Sequence, residues 1–489
     1  MILTLLVFSP VLFLLALWLV PRDNARLLKL TGVLGTMLPL LFALLIAFSG
    51  EKWSSFGVYA NWFQLGNTGN EFSQMYAVPF ELGLDGFSLV MILLTAVLST
   101  LSAIASTWQI DKEWRGYFSL FLLLETGMLG VFAAENLILF FLFFEVTLVA
   151  TFFLVGKWGG YDREKASYRF LIYNGLGSAI LLFVIAVLFA KTGTANIEIL
   201  QQILSLGGQT LLSPISSELR YGLLIAVLIA FGIKLPIFPL HSWVLKVHVE
   251  APPAVVMLHA GILLKIGAYG LIRFGVGLFP EEFSHLSFWV ILLGVINLLY
   301  GAFLALIQTD FKLLLAYSSI SHMGIVLMGI GALNDAGMQG AVFQVVSHGL
   351  IASLFFLLVG VLQNRFGTTD MRKLGGLWNG MPVFSGFLLL AGMASLGLPG
   401  LSGFISEFLA FLGVFEREAV LGAIGTIGII LTAVYVLRAV LKITFGPSQA
   451  RVRDLHLLEW VPAAVLVGII VLIGVYPSIL ERAISGIGG

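Results

Sequence analysis

The chain of 489 residues is 59% hydrophobic and 11% charged, whereas soluble domains are roughly 45–50% apolar and ~25% charged. This composition excludes a water-soluble protein. Twenty-six basic residues balance twenty-six acidic ones, so the chain has no basic field for binding nucleic acid. It contains no cysteine, which excludes disulfides, thiolate zinc sites and Cys-held iron–sulfur clusters. Any redox chemistry is therefore expected on another chain.

Apolar runs recur along the whole sequence, each close to the roughly 20 residues needed to cross ~30 Å of hydrocarbon. The amino-terminal run has no basic leader and no small-residue cleavage pattern, so we expect it to be a retained first span. The sequence predicts an all-α polytopic membrane protein with about 14 transmembrane helices. These begin near residues 2, 26, 85, 115, 134, 167, 219, 254, 286, 313, 338, 383, 419 and 459.

Basic residues are distributed unevenly between alternate loops. Eighteen Lys and Arg lie on one side and six on the other, and loops rich in basic residues stay in the cytoplasm. This bias and the even span count predict that both termini lie on the outer, periplasmic side of a bacterial inner membrane. Two longer outer segments, 50–84 and 192–218, are expected to be interfacial helices or ordered loops.

Titratable residues also occur inside the apolar runs. A charge near the bilayer centre costs at least roughly 2.5–3.5 kcal/mol on insertion scales and is paired, hydrated or functional. The alternative interpretation is structural. A single buried lysine–glutamate pair can simply hold two helices together, and a lone mid-span histidine is commonly a hydrogen-bonded packing residue. Their number favours a proton relay through a hydrated interior. The candidate residues are Glu145, Lys234, Lys265, His322, His348 and Glu407.

Two of these residues lie beside predicted helix breaks. Pro236 and Pro239 follow Lys234 and remove backbone donors, and a Gly/Pro-rich stretch at 397–403 precedes Glu407. Lys265 is flanked by glycines, which permit close helix contact or local irregularity. Two other acids have simpler interpretations: Glu125 as a helix-interior acid with a Ser or Thr partner, and Glu135 as the cap of a turn.

The two breaks indicate an internal duplication of the kind found in transporters. Residues 115–275 and 286–445 each contain five predicted spans, with the break in the fourth. Five is odd, so the repeats are expected to have opposite orientations in the membrane. A three-helix region with an outer-face loop at 1–107 precedes them, and a C-terminal helix at 459–489 follows.

Several segments together resemble the antiporter-like membrane subunits of respiratory complex I. The resemblance covers essentially the whole chain, and DGFSL at 85–89 fits the third helix of that family. Glu407, where related subunits carry a lysine, and the absence of a long lateral helix after the last span favour the M-type branch, which includes mitochondrial subunit 4. The segments are FFEVTLVATFFLVGKWGG, KLPIFPLHSWVLKVHVEAP, LHAGILLKIGAYGLIRF, DFKLLLAYSSISHMGIVLMGI and LPGLSGFISEFLAF.

The resemblance implies a role for each buried group. Glu145 and Lys234 would form a pair on the fifth and seventh helices, Lys265 would be the central relay, and Glu407 the terminal proton site, with His322 and His348 lying between the last two. One departure is at Val244–His248, where the family has Leu-Pro-Asp-Ala-His. It puts the inner-side loop and its local proton route in question.

The expected function is that of a non-redox, proton-translocating membrane-arm subunit of NADH:quinone oxidoreductase, inactive as an isolated chain. The chain is expected to hold no cofactor or metal, with FMN, iron–sulfur clusters and quinone on partner subunits. Expected partners are L- and N-type antiporter-like subunits, the redox arm and the lipid bilayer. The alternatives are a subunit of a multisubunit sodium/proton antiporter, a secondary solute carrier with its site between the two breaks, and a structural scaffold.

Overall fold

The computed structural model describes residues 1–64, 76–208, 213–447 and 452–484, and it is an all-α polytopic membrane protein, as predicted. In this described part twelve helices are long and apolar enough to cross a membrane, and two interrupted helices complete the fourteen expected spans. In chain order the elements are α1 (Ile2–Leu19), α2 (Ala25–Ala47), β1 (Val58–Gln64), β2 (Ala77–Leu82), α3 (Gly86–Gln109), α4 (Trp114–Ala133), α5 (Leu137–Trp158), α6 (Arg163–Thr192), α7 (Ile197–Ser205), α8 (Ser217–Lys234), α9 (Ser242–Glu250), α10 (Pro253–Val276), α11 (Pro280–Ile307), α12 (Phe311–Ala332), α13 (Asp335–Phe366), α14 (Leu377–Gly380), α15 (Pro382–Ser395), α16 (Ser402–Arg417), α17 (Ala419–Thr444), α18 (Leu457–Val475) and α19 (Ser478–Ile484).

Both predicted helix breaks are present. The first separates α8 from α9, so that Lys234 is the last residue of α8 and the two prolines lie in the break. The second separates α15 from α16, five residues before Glu407. Gly397 and Gly400 in this break have φ of +71° and +92°, which glycine adopts without steric cost. Each break therefore has a titratable side chain at or near it.

The connecting segments alternate between two faces, because each span carries the chain from one face to the other. On one face the backbone of Leu82 pairs with Ala134, and that of Asn136 with Asn196; on the other, Asp310 pairs with Asp370. The chain end also reaches the first face, because α19 packs against α3. We call the first face outer and the second inner, following the charge bias. Arg451, one of the eighteen inner basic residues, and residues 485–489 of the predicted C-terminal region lie outside the described residues.

The two long outer segments differ in structure. Among its described residues, segment 192–218 contains the short helix α7, and a helix was one of the two structures expected there. The described residues of segment 50–84 instead form a 3₁₀ turn at Trp53–Phe56 and an antiparallel pair of strands, β1 and β2. Strand β1 contains one valine and three aromatic residues among its seven, and these residue types favour extended backbone. Ordered structure was expected there, but a strand pair was not.

Two helices form the centre of the molecule, and both carry relay candidates. The apolar windows of α10 and α13 are completely buried, whereas those of α1 and α2 are only 33% buried. Glycines bring the central elements together: a Cβ added at Gly267 would lie 2.6 Å from the backbone nitrogen of Leu235, and one at Gly349 would lie 2.8 Å from the carbonyl oxygen of Gly261. The predicted close contacts around Lys265 are therefore present, and lipid cannot reach its side chain.

Candidate proton pathway

Lys265 and His348 connect the two central helices. The lysine is fully buried, and its Nζ donates to the carbonyl of Ala260 and lies 2.7 Å from His348 Nδ1. Ala260 belongs to a π-helical segment of α10 at His259–Leu263, a local widening that is frequent at functional sites. The structure thus places two predicted relay groups, 83 residues apart in sequence, in direct contact.

His322 and Glu407 continue the line from His348. The rings of His348 and His322 have centroids 5.3 Å apart, and His322 Nδ1 lies 3.6 Å from Glu407 Oε1. A cavity of about 10 Å³ beside the two histidines is close to the smallest volume that holds one water. Lys265, His348, His322 and Glu407 therefore follow one another at distances that a hydrogen bond or one water can span.

Polar residues that the sequence analysis did not select hold this line in place. The Gln344 amide nitrogen lies 3.1 Å from His322 Nδ1, and its oxygen accepts from Ser406 at 2.5 Å. His322 Nε2 lies 3.3 Å from Ser395 Oγ. Gln344 could have been selected from the sequence by its spacing, because it lies four residues, about one helical turn, before His348 on α13. These contacts orient the imidazole and so determine which ring nitrogen faces Glu407.

Lys234 lies apart from its expected partner. Its Nζ is buried and accepts or donates no hydrogen bond in the described part of the chain. It lies 5.0 Å from the ring centroid of Phe144 and 5.6 Å from that of Phe170. Glu145 is half-buried, and no ion pair within 4.0 Å joins it to Lys234 among the described residues. The described structure therefore shows no direct contact between the two groups of the expected pair.

Two further histidines lie between the lysines. His248 Nε2 is 3.0 Å from His259 Nδ1, and both side chains are fully buried. His259 packs on the ring of Phe170, which also faces Lys234. The remaining ring nitrogen of each histidine has no partner among the described residues. His259 was detectable in sequence as a polar residue six positions before Lys265, but it lies close to a predicted span end.

The family departure after the first break leaves the fold intact. The segment Val244–His248 lies within the regular helix α9. Val244 and Val247 are buried, whereas Lys246 is exposed. Lys312, counted as an inner loop charge, is in fact 3% exposed and donates to the carbonyls of Val249 and Ala251 at 2.8 and 3.1 Å. Lys312 thus ties α9 to α12.

The simpler interpretations of Glu125 and Glu135 hold only in part: Glu125 is a helix-interior acid, as expected, but it lacks the expected Ser or Thr partner in the described part of the chain. Glu125 is fully buried, and neither of its oxygens has a hydrogen-bond partner within the described ranges, because no Ser or Thr is placed to donate. The residue that caps α5 is Asn136, not Glu135. Glu135 lies beside Glu81 and Asp85 on the outer face, where burial first, and then these two negative charges, raise its pKa.

Fold and site together define a polytopic membrane protein with a line of buried titratable groups between two broken helices. The family described as "NADH:quinone oxidoreductase/Mrp antiporter, TM" matches residues 134–432, more than half of the chain. The chain therefore belongs to this family. No group of three or more His, Asp or Glu residues in the described part is arranged to hold a metal ion.

Relatives of known function and solved structures agree with this assignment. The chain is 37% identical over 438 residues to NADH-quinone oxidoreductase subunit M of Rhodobacter capsulatus, covering 86% of this chain and 85% of the relative. It superposes on a chain of respiratory complex I from Thermus thermophilus with a TM-score of 0.87 and 31% identity, covering 100% and 98% of the two chains. A chain of the Mrp complex from Dietzia shares the fold, with a TM-score of 0.85, 20% identity and coverage of 99% and 97%. The resemblance to M-type subunits of complex I is confirmed.

Proposed function

We propose that this chain is a proton-translocating membrane-arm subunit of an NADH:quinone oxidoreductase, with its buried side chains as the proton path. The observation that carries the proposal is the line Lys265–His348–His322–Glu407, in which every neighbour lies within reach of a hydrogen bond or one water. Similarity to subunit M of Rhodobacter capsulatus supports the assignment to this oxidoreductase.

The proton path is assigned from the inner face towards Glu407. His248 and His259 connect the inner end of α9 to the region between Lys234 and Lys265, and Lys265 passes the proton to His348. Lysine suits this position because it gains or loses a proton readily when its surroundings change. Each step moves a proton between a nitrogen or oxygen lone pair and its neighbour, so no covalent intermediate is required.

The gap between Glu145 and Lys234 is the proposed switch. When the carboxylate approaches, it stabilises the ammonium form of Lys234, and when it withdraws, the unpartnered lysine gives up its proton. Two aromatic rings near the Lys234 amine provide only weak stabilisation of a cation, of about 0.5–2 kcal/mol. A small movement of α5 relative to α8 therefore decides whether the proton stays.

Electron transfer is assigned to partner subunits. The chain has no cysteine to ligate an iron–sulfur cluster, so we place FMN, the clusters and quinone on other chains and expect no catalysis by this chain alone. Its neighbours would be L- and N-type antiporter-like subunits, with the redox arm linked through them. The charge bias supports a bacterial inner membrane location with both termini on the periplasmic side.

A sodium/proton antiporter subunit is the second candidate, because the Dietzia chain has the same fold. Co-purification from native membranes through a C-terminal affinity tag distinguishes the candidates. The proposal predicts flavin and iron–sulfur subunits in the complex, with NADH:quinone reductase activity that pumps protons after reconstitution. A complex without flavin that exchanges sodium for protons would overturn it. Solute uptake by vesicles containing only this chain would instead indicate a secondary carrier.

A further inference from the structure

A polar pocket on the outer face reaches towards Lys265 from the side opposite to the proposed uptake route. The pocket has a volume of about 210 Å³, and its lining includes Asp85, Glu135, Tyr269 and Arg273. Lys265 and Tyr269 are four residues apart on α10, which corresponds to about 6 Å along the helix axis. Water in this pocket therefore comes within about one helical turn of the central relay lysine, yet the relay requires that protons do not escape here.

Tyr269 closes the floor of the pocket. Its ring lies between Phe87 and Phe132, with centroid distances of 5.0 and 5.1 Å. Its hydroxyl donates to the carbonyl of Phe132 at 3.3 Å and accepts from Arg273 Nε at 3.3 Å. The hydroxyl proton thus points at a backbone carbonyl, which cannot pass a proton on. Its accepting lone pair faces an arginine N–H, which does not release its proton.

Arg273 supplies the positive charge of the described pocket lining, directly above this floor and beside the carboxylates of Asp85, Glu135 and Glu198. The guanidinium pairs with Asp85 and lies 5.4 Å from the ring of Tyr269. Its side chain is 27% exposed, so water in the pocket contacts it. Asp85 is held in turn as the N-cap of α3 by reciprocal bonds with Ser88, both 2.8 Å long. An arginine at a constriction excludes protons and cations from a pore by electrostatic repulsion.

We propose that Arg273 and Tyr269 form a proton barrier that seals the outer end of the first repeat. Lys265 then exchanges protons only with groups of the inner route and with His348. This inference rests on the proposed function, because a seal has meaning only if Lys265 carries protons. It adds a role that the relay residues do not have, which is preventing the return of pumped protons through the chain.

The test is passive proton leak of the assembled oxidoreductase in liposomes, followed as the decay of an imposed pH gradient. Arg273→Met is expected to accelerate the decay about tenfold or more, because it removes a unit charge from the path. Quinone reduction should continue, and an uncoupler should no longer stimulate it. The matched control is Arg220→Met, since Arg220 is also an outer-face arginine, paired with Glu282 at 3.0 Å, and its loss should leave the vesicles proton-tight.

Asp85→Asn separates a charge barrier from a structural ion pair. Asparagine still caps the helix and leaves the arginine charge in place, so this variant should remain as tight as the wild type. Equal leaks from Arg273→Met and Asp85→Asn would overturn the inference, as would a tight Arg273→Met enzyme. If Arg273→Met does not assemble, Arg273→Gln replaces it and should leak, because it also removes the positive charge while keeping amide donors near Asp85; a tight Arg273→Gln enzyme would contradict the barrier. Normal pumping by Lys234→Ala would instead count against the proposed function itself.

Discussion

Replacing Lys265 by methionine separates a proton relay from a structural lock. The substitution removes two hydrogen bonds, to Ala260 and His348, each worth about 0.5–3 kcal/mol. It also removes the desolvation cost of a buried charge, which is several kcal/mol. Methionine has a similar length and fills the site, so the two contributions largely cancel. The thermal stability of the membrane arm should therefore change by no more than about 2 kcal/mol.

Proton transport should respond very differently to the same change. Without an amine at position 265, no group bridges His348 to the inner-side histidines, so pumping by this chain should fall to less than about a tenth of wild type, the scale of losing one proton-transfer group. The assay is acidification of proteoliposomes per NADH oxidised, beside differential scanning calorimetry of the same preparation. Lys265→Arg keeps the charge but does not release its proton, so it should also fail. Normal pumping by Lys265→Met would refute the relay. So would a Lys265→Met enzyme that fails to assemble together with a Lys265→Arg enzyme that pumps normally.

Three further predictions concern packing, orientation and pH. Gly267→Ala forces a methyl group against the first break and should lower the stability of the membrane arm by about 1–3 kcal/mol. The control is Gly222→Ala, which has open space around its Cα and should be neutral or stabilising by about 0.5–1 kcal/mol. Thermal denaturation of the two variants measures the difference. Gln344→Leu removes the amide that orients His322, so pumping per NADH should fall severalfold while quinone reduction persists, and unchanged pumping would show that the orientation is not needed. Burial raises the pKa of Glu81 above 4.5, against opposing hydrogen bonds from Asn196 and Asn136. Its protonated form is therefore favoured in the fold, and its contribution, complete below pH 4.5, is lost as pH rises through the raised pKa. The stability advantage of Glu81→Gln over wild type should grow with pH across that window, and a constant difference would contradict this.

The sequence was sufficient to predict the spans, and it also marked the buried titratable residues from which the relay is proposed. Apolar length and proline or glycine positions determine where a helix crosses and where it breaks, so the break beside Lys234 was accessible without a structure. A buried charge is expensive in lipid, which is why Lys265 and Glu407 stood out. These predictions depend only on the composition of one segment at a time, which can be read without knowing how the segments pack.

Contacts between distant helices were not accessible in the same way. The support of His322 by Gln344 depends on how α12 and α13 rotate about their axes, which no spacing along the chain determines. The separation of Glu145 from Lys234 was equally hidden, and so was the phenylalanine ring near the lysine, because aromatic residues are too common in these spans to mark one. The pairing of β1 with β2 was missed because an expectation of membrane helices gave no weight to short extended segments outside them.

In the proposed function, protons cross the membrane through the buried side chains of this chain. This is tested by the number of protons translocated per NADH oxidised by the reconstituted enzyme carrying Lys234→Ala or Glu145→Gln. Each variant is expected to assemble with a normal subunit complement, to lose coupled proton translocation through this chain and to reduce quinone more slowly. Assembled variants that translocate as many protons per NADH as the wild type would contradict the proposal.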